Sequence, residues 1–350
     1  MESSSKRRRR CRQCAKKKHL YLVLDDWKGG YSIHRLDADN MEDHLAESVA
    51  ALRLASPELG TPMAFTALGT NIFASTNPHC SSDRAPPILV YDTETASLTI
   101  GPRPPDGCYL RDLGNAVAVG GKLYALASVC DELDVSCSLQ VLSWGRTTDQ
   151  PGPWDPTMAW CWNTVPTPIG NEMIISYALH PDGRTIFMST DRLTHSFDTS
   201  NGVWRNLGEW TLPFHGQAFY DGELDGWVGL HHEEDGYVCC CPVASRSAMA
   251  TRHPECRVLK EKLFRRCDDE KCPPGRYLSA TLTYMGDSRF CLVENVLRSK
   301  NVLDSTLHVT LFGLKYDDKG ELTTTKIHRT TRSYALAKNT MLFSHATFWM

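Results

Sequence analysis

Fourteen cysteines and thirteen histidines give this chain its widest chemical reach, since thiolates and imidazoles ligate zinc and serve as nucleophiles and bases. A structural zinc site needs four such ligands converging tetrahedrally, usually as two close pairs. Cys11 and Cys14 have knuckle spacing but no second knuckle nearby, and Cys267 and Cys272 are more loosely spaced. The run Cys239, Cys240, Cys241 lies near His231 and His232. Consecutive residues of a strand point to opposite faces, so these three thiols cannot share one ion. Cys80, Cys108, Cys130, Cys137, Cys161 and Cys291 are scattered and read as small buried or loop residues. No metal and no cofactor are expected. Were zinc present, Cys267 and Cys272 with a His or Cys of a neighbouring loop would be its place.

Polar candidates for catalysis are His180, Asp182, His215, His231, His232, Glu233, Glu234 and His345. Asp182 followed by Gly183 reads first as a hairpin turn, and residues 231–235 as a solvated loop. The chain has no G-x-S-x-G elbow, no H-E-x-x-H pair and no glycine-rich phosphate loop. No catalytic residue is assigned. A different candidate surface is the segment TTDQPGPWDPTMAWCWNTVPTP, which sets Trp154, Trp160 and Trp162 among prolines. Exposed aromatics held by prolines are typical binding anchors, yet the same side chains could fold back over the outer edge of a sheet.

The elements that would position these residues are short strands. An apolar run that breaks at a polar turn and resumes recurs as MAFTALGTNIFAST from Met63, NAVAVGGKLYALAS from Asn115 and MIISYALHPDGRTIFMST from Met173. It returns as QAFYDGELDGWVGLHH from Gln217 and LSATLTYMGDSRFCLVEN from Leu278. A period of roughly 40–60 residues built of strands is the pattern of β-propeller blades. Third strands follow, as in ILVYD from Ile88 and LTHSFD from Leu193, and three end in an aromatic before Asp: Tyr91–Asp92, Phe197–Asp198 and Tyr316–Asp317. The Asp caps the following turn while the aromatic packs between blades. Gly120 and Gly121 let an inner hairpin turn with positive φ. These are habits of kelch blades.

LYLVLDD from Leu20 and YSIHRLD from Tyr31 form a hairpin without a first strand, and MLFSHATFWM from Met341 is a strand without a partner. An open sheet edge is an aggregation liability, so the two ends should complete one blade, with residues 342–349 innermost beside 20–26. Residues 41–54 fit either a short helix or an outer strand with a loop. Long loops are expected at 130–138, 145–168 and 244–275. The fold class is therefore all-β, a kelch-like propeller of six blades with one blade closed by both termini, spanning residues 19–350 behind a disordered basic tail at 1–18.

LYLVLDDWKGGYSIHRLDAD, AVAVGGKLYALAS and TLFGLKYDDKGELTTTKIHRTTRSYAL, with the terminal MLFSHATFWM, resemble the plant family called domain of unknown function 1668, numerous in grasses. The terminal IHRTTRSY stretch carries the most specific part of the likeness. The resemblance implies a kelch-like propeller with no assigned biochemical role, and it transfers no site residues.

The composition, 41% hydrophobic and 23% charged, suits a folded body, and no apolar run reaches the ~18 residues of a membrane helix. The formal charge is only -3, yet Lys6, Arg7, Arg8, Arg9, Arg10, Arg12, Lys16, Lys17 and Lys18 crowd into one segment. Two basic clusters across a short gap resemble a nuclear localisation signal, which would engage an importin-type receptor. No apolar stretch follows the basic residues, so secretion is not expected, and the thiols should be reduced. The expected function is a non-enzymatic protein-interaction scaffold, nuclear or cytoplasmic, monomeric and without membrane contact. The alternatives are a propeller enzyme with an axial site or a nucleic-acid-associated protein using the tail. No helical adaptor domain fits ahead of the blades, which disfavours a ubiquitin-ligase adaptor.

Overall fold

The computed structural model describes residues 17–27, 29–40, 49–55, 63–75, 87–103, 108–109, 116–131, 134–146, 158–170, 172–233, 236–246, 254–263, 277–297, 304–335 and 345–350. Among them the chain forms strands and a single 3-10 turn at Ala38–Asn40, with no α-helix. The repeating unit is a four-stranded meander. In the second sheet Ala64–Leu68, Asn71–Ser75, Leu89–Asp92 and Ser97–Ile100 lie side by side in chain order. Burial falls outward along this series, from Asn71–Ser75, almost wholly buried, to Ser97–Ile100, wholly exposed. Middle strands read as unbroken apolar runs because both their faces are covered by neighbouring sheets, as in Thr185–Ser189, buried at every position.

The core lies between sheets rather than within one. Tyr31 and Ile33 of the first sheet pack on Phe65 and Ile72 of the second. Phe73 and Val90 of the second pack on Leu123 and Leu142 of the third. Tyr124 and Leu139 of the third pack on Tyr177, Ile186 and Phe197 of the fourth. The fourth sheet has eight strands, two meanders joined by a parallel pairing of their first strands, Ser176–Leu179 and Phe214–Asp221. Phe187 of one meander meets Trp227 of the other with ring centroids 5.0 Å apart. Val228 and Val238 then pack on Phe290 and Phe312 of the last sheet, and Val293 and Leu307 of that sheet pack on Leu20, Leu22 and Leu24 of the first. The interfaces close on themselves, which is the architecture of a β-propeller.

Closure uses both ends of the chain, as the unpartnered strands require. His345–Trp349 pairs antiparallel with Leu20–Leu24, in register Leu20↔Trp349 to Leu24↔His345. His19 and Met350 extend the ladder by exchanging backbone hydrogen bonds of 2.7 and 3.1 Å. The terminal strand is the inner member of the order 345–349, 20–27, 30–36, 50–55, and it touches the first strands of the last and second sheets.

Turn chemistry follows the aromatic–Asp signature. Asp92 accepts from the Glu94 amide at 3.0 Å, Asp198 from the Ser200 amide at 2.9 Å, and Asp317 from the Lys319 and Glu321 amides at 2.9 and 2.8 Å. Gly120 and Gly121 take φ of 56° and 75° between Val117–Val119 and Lys122–Asp131, as the short loop demands. A fourth aspartate does more than cap. Asp221 is fully buried and accepts from the Glu223 and Leu224 amides at 3.1 and 2.9 Å. It also accepts from Ser288 N at 3.0 Å and Ser288 Oγ at 2.8 Å, in the next meander. Asp287 and Ser288 sit at φ of 52° and 51°, a conformation costly for side-chain-bearing residues, so this carboxylate holds the neighbouring hairpin turn in place.

Three expectations change. Residues 130–138 are not a loop, because Lys122–Asp131 and Asp134–Arg146 form one long ribbon paired from Lys122↔Ser143 to Asp131↔Asp134. Residues 145–168 are not wholly a loop either, since Met158–Pro166 is a strand along the edge of that ribbon. Ala50–Ala55 is an outer strand, which decides against the helix alternative where the chain is described, and residues 41–48 lie outside the described residues. Of the 244–275 segment, Arg257–Val258 is a short outermost strand.

Candidate functional site

The aromatic edge of the third sheet is built by that unexpected strand. Prolines flank MAWCWNTV without interrupting it, so the backbone is free to ladder against Asp134–Arg146. The register pairs Trp144 with Trp160 and Leu142 with Trp162, placing these four on one face. Trp160 and Trp162 are half-buried against the core shared with the second sheet, and Trp160 meets Phe73 edge-on at 5.0 Å. Trp162 Nε1 is buried with no hydrogen-bond partner among the described residues. Trp144 stands edge-on to Trp160 at 5.5 Å and is 55% exposed, with Met158 40% exposed beside it. Trp154 lies outside the described residues. The far end of the edge strand is closed off by Trp204, whose indole donates to Pro166 O at 2.9 Å. The sequence reading missed Trp144, because only the register places it beside Trp160.

The polar candidates do not converge. Asp182 accepts from the Arg184 and Thr185 amides at 3.0 and 2.9 Å, from Thr185 Oγ1 at 2.7 Å and from Arg246 at 2.6 Å. Burial pushes its pKa up, but these hydrogen bonds outweigh it and hold the carboxyl well below the usual range. It is a hairpin turn residue. His180 stacks on Phe187 at 5.9 Å. His345, on the closing strand, is buried and bonded to Thr281 Oγ1 at 2.8 Å, and burial drives its pKa down to about 4. His215 is exposed, and Glu234 lies outside the described residues. A cleft of about 320 Å³ lies between the connection 168–172 and the outer strands of the fourth sheet's first meander, lined by Ile169, Glu172, His195, Trp204 and Asn206. His195 Nδ1 is buried there with no hydrogen-bond partner among the described residues.

One cluster does form. His231, at the end of Gly226–His231, Cys239, on Val238–Pro242, and Cys256, just before Arg257–Val258, bring Nδ1 or Nε2 and two Sγ atoms within 4.8 Å of one another. Among the described residues it is the one group of three or more His, Cys, Asp or Glu so disposed. Alternation acts as the sequence predicts: Cys239 and Cys241 face one core, Cys240 the other. The partner that sequence reading missed is Cys256, whose approach depends on a cross-strand register. Its pKa falls to about 6, chiefly through a hydrogen bond from the Cys239 thiol, with burial opposing and His231 assisting. The same bond, with burial, pushes the Cys239 thiol up. Cys11, Cys14, Cys80, Cys267 and Cys272 lie outside the described residues.

Of the basic segment, Lys17 and Lys18 are described and exposed, and residues 1–16 are not. Lys17 Nζ is 2.5 Å from Asp37 Oδ2 and 3.8 Å from Asp39 Oδ2, which raises its pKa and lowers that of Asp37. No helix among the described residues is long and apolar enough to cross a membrane.

Among curated proteins none matches this sequence. Solved structures that resemble it include a nidogen/laminin complex at 14% identity, covering 92% of this chain and 99% of that one with a TM-score of 0.46. Another is the β-propeller domain of Swd1 from Myceliophteria thermophila, at 8% identity, 87% and 85% coverage and a TM-score of 0.39. A third is the α-L-arabinanase of Cellvibrio cellulosa complexed with arabinohexaose, at 13% identity, 75% and 94% coverage and a TM-score of 0.34. The family described as "Protein of unknown function (DUF1668)" matches residues 17–334, and the chain belongs to that family.

Proposed function

We propose that this propeller, which we read as kelch-like and six-bladed, is a monomeric, non-enzymatic protein-interaction scaffold whose docking edge is the strand Met158–Pro166. The observation that carries the reading is Trp144, a large aromatic 55% exposed at the end of a row whose other members are anchored in the core. A rigid half-buried row presenting one exposed ring spends little entropy on binding. The outer side of Met158–Pro166 pairs with no strand among the described residues, so an extended partner segment can add to it and cover Trp144 with an apolar side chain.

The test is capture of partners by the full chain against its Trp144→Ala variant. Loss of a specific partner with an unchanged melting temperature supports the reading, and undiminished capture sinks it. The basic residues Lys6 to Lys18 are read as a nuclear localisation signal for an importin-type receptor. A fluorescent fusion carrying Arg7, Arg8, Arg9 and Arg10 changed to Ala should lose nuclear accumulation, and one that keeps it refutes the assignment.

A further inference from the structure

We propose that His231, Cys239 and Cys256 form a binding site for a thiophilic divalent metal ion, zinc being the one the donor set suits best. Two neighbouring strands of one meander supply His231 and Cys239, and the residue just before the third strand supplies Cys256. Val238–Pro242 pairs with Gly226–His231 on one side and with Arg257–Val258 on the other. The pairings Gly229↔Cys239 and Cys239↔Val258 leave His231 two residues beyond Gly229, and Cys256 two residues before Val258. Two-residue steps preserve the face of a strand, so His231 and Cys239 project from the same side of the sheet, and Cys256 packs against the same core as Cys239. Their ligand atoms lie within 4.8 Å of one another. In a tetrahedral site with Zn–S about 2.3 Å and Zn–N about 2.0–2.1 Å, neighbouring ligand atoms sit about 3.5–3.8 Å apart, a contraction within reach of rotamer adjustment.

Both thiols are free, and Cys256 approaches Cys239 from just outside the ladder, since Val258 is the residue directly opposite Cys239. Cys239 is fully buried, with Sγ 3.7 Å from the Pro213 carbonyl oxygen, while His231 and Cys256 are half-buried toward solvent. That asymmetry gives the ion a route of entry and a fourth position for water, the open arrangement of three-ligand zinc sites. The outer strand here has only two residues, so an ion would pin an edge that its own ladder holds weakly.

The experiment is metal titration of the reduced, full-length protein with Co²⁺, read by thiolate-to-cobalt charge-transfer absorption, with elemental zinc analysis of the protein as purified. His231→Gln and Cys256→Ser are the informative variants because both sites are half-buried and should fold, as circular dichroism would check. The expected result is one ion per chain in the unmodified protein and at least a tenfold loss of affinity in each variant. Three results would each overturn the proposal. One is an absence of charge-transfer absorption, and another is metal retained undiminished in both variants, which would place it on other cysteines. The third is a Cys239–Cys256 disulfide found by mass spectrometry in protein purified without reductant.

Discussion

Removing residues 345–350 should open the ring, and the structure allows the loss to be worked out. Phe348, Trp349 and Met350 are half-buried against two cores, and full burial of such side chains contributes about 1.5–3 kcal/mol each, so roughly half of that is at stake per residue. The ladder to Leu20–Leu24 adds about 0.5–1.5 kcal/mol for each hydrogen bond lost. Together the terms are on the order of 5–10 kcal/mol, most of the roughly 5–15 kcal/mol that holds a domain folded. A finer version uses one residue. His19 and Met350 exchange both backbone bonds, and hydrogen-bonded pairs alternate in antiparallel ladders, so Tyr21↔Phe348 and Val23↔Ala346 are hydrogen-bonded pairs as well. Ala346→Pro therefore deletes a ladder donor and leaves the buried Val23 carbonyl short of its bond, at about 1–3 kcal/mol. The assay is urea denaturation followed by tryptophan fluorescence. The truncated chain should be insoluble or unfold without a cooperative transition, and Ala346→Pro should lower the midpoint at unchanged slope. A truncated chain that melts cooperatively within a few degrees of the full one refutes closure by the terminal strand.

Other consequences are open to the same instruments. His345 is neutral in the fold, its pKa lowered from 6.5 to about 4, so stability is full above pH 6.5 and falls by about 3 kcal/mol as pH drops to 4. His345→Gln should flatten that decline in pH-dependent urea titrations, and an unchanged slope would show that other groups carry it. Asp221→Ala leaves the buried Leu224 and Ser288 amides without their acceptor and should cost about 2–4 kcal/mol. A melting temperature unmoved by that change would dismiss the latch between the two meanders. Trp160→Ala, which removes a half-buried ring and its contact with Phe73, should cost about 2 kcal/mol, whereas Trp144→Ala should cost a few tenths. Equal melting temperatures for the two variants would mean that the row is not anchored as described.

The inner parts of this fold were legible because their rules are local. Each hairpin read from an apolar run, a turn and a second run is present, and Asp92, Asp198 and Asp317 cap the turns their aromatic neighbours announced. Two orphan strands sufficed to bring the ends together. The strands at the base of the ribbon, KLYALAS and SLQVLSW, were legible, but their extension to Asp131 and Asp134 was read as a loop because aspartates there carry no apolar alternation, whereas a backbone ladder forms regardless of polarity. The strand Met158–Pro166 was missed because nearby prolines were counted against it, though they lie before the run and at its last residue. The approach of Cys256 to His231 had no local signal at all. It depends on a two-residue strand pairing at one register, which no periodicity in the sequence encodes.

That division has a physical cause with consequences for where this protein does its work. First and second strands are covered on both faces by neighbouring sheets, so their side chains are committed to packing and their polar members to holding a turn, as with Asp221, or bonding across to the next sheet, as with His345. Outer strands carry less of that burden: Ser97–Ile100 is wholly exposed, half of Val203–Gly208 is exposed, and Arg257–Val258 is two residues long, although Trp160 and Trp162 of Met158–Pro166 do pack inward. An exposed residue there can change without opening a cavity between sheets, so binding chemistry is least costly to install at the exposed positions of the rim. The exposed Trp144 and the His231–Cys239–Cys256 cluster both sit where an outermost strand meets the one inside it. Of the polar candidates for catalysis, Asp182 is bound up in a turn, His180 in a stack and His345 in the closing ladder. The exposed rim is where substitutions should alter partners or metal while leaving the fold intact.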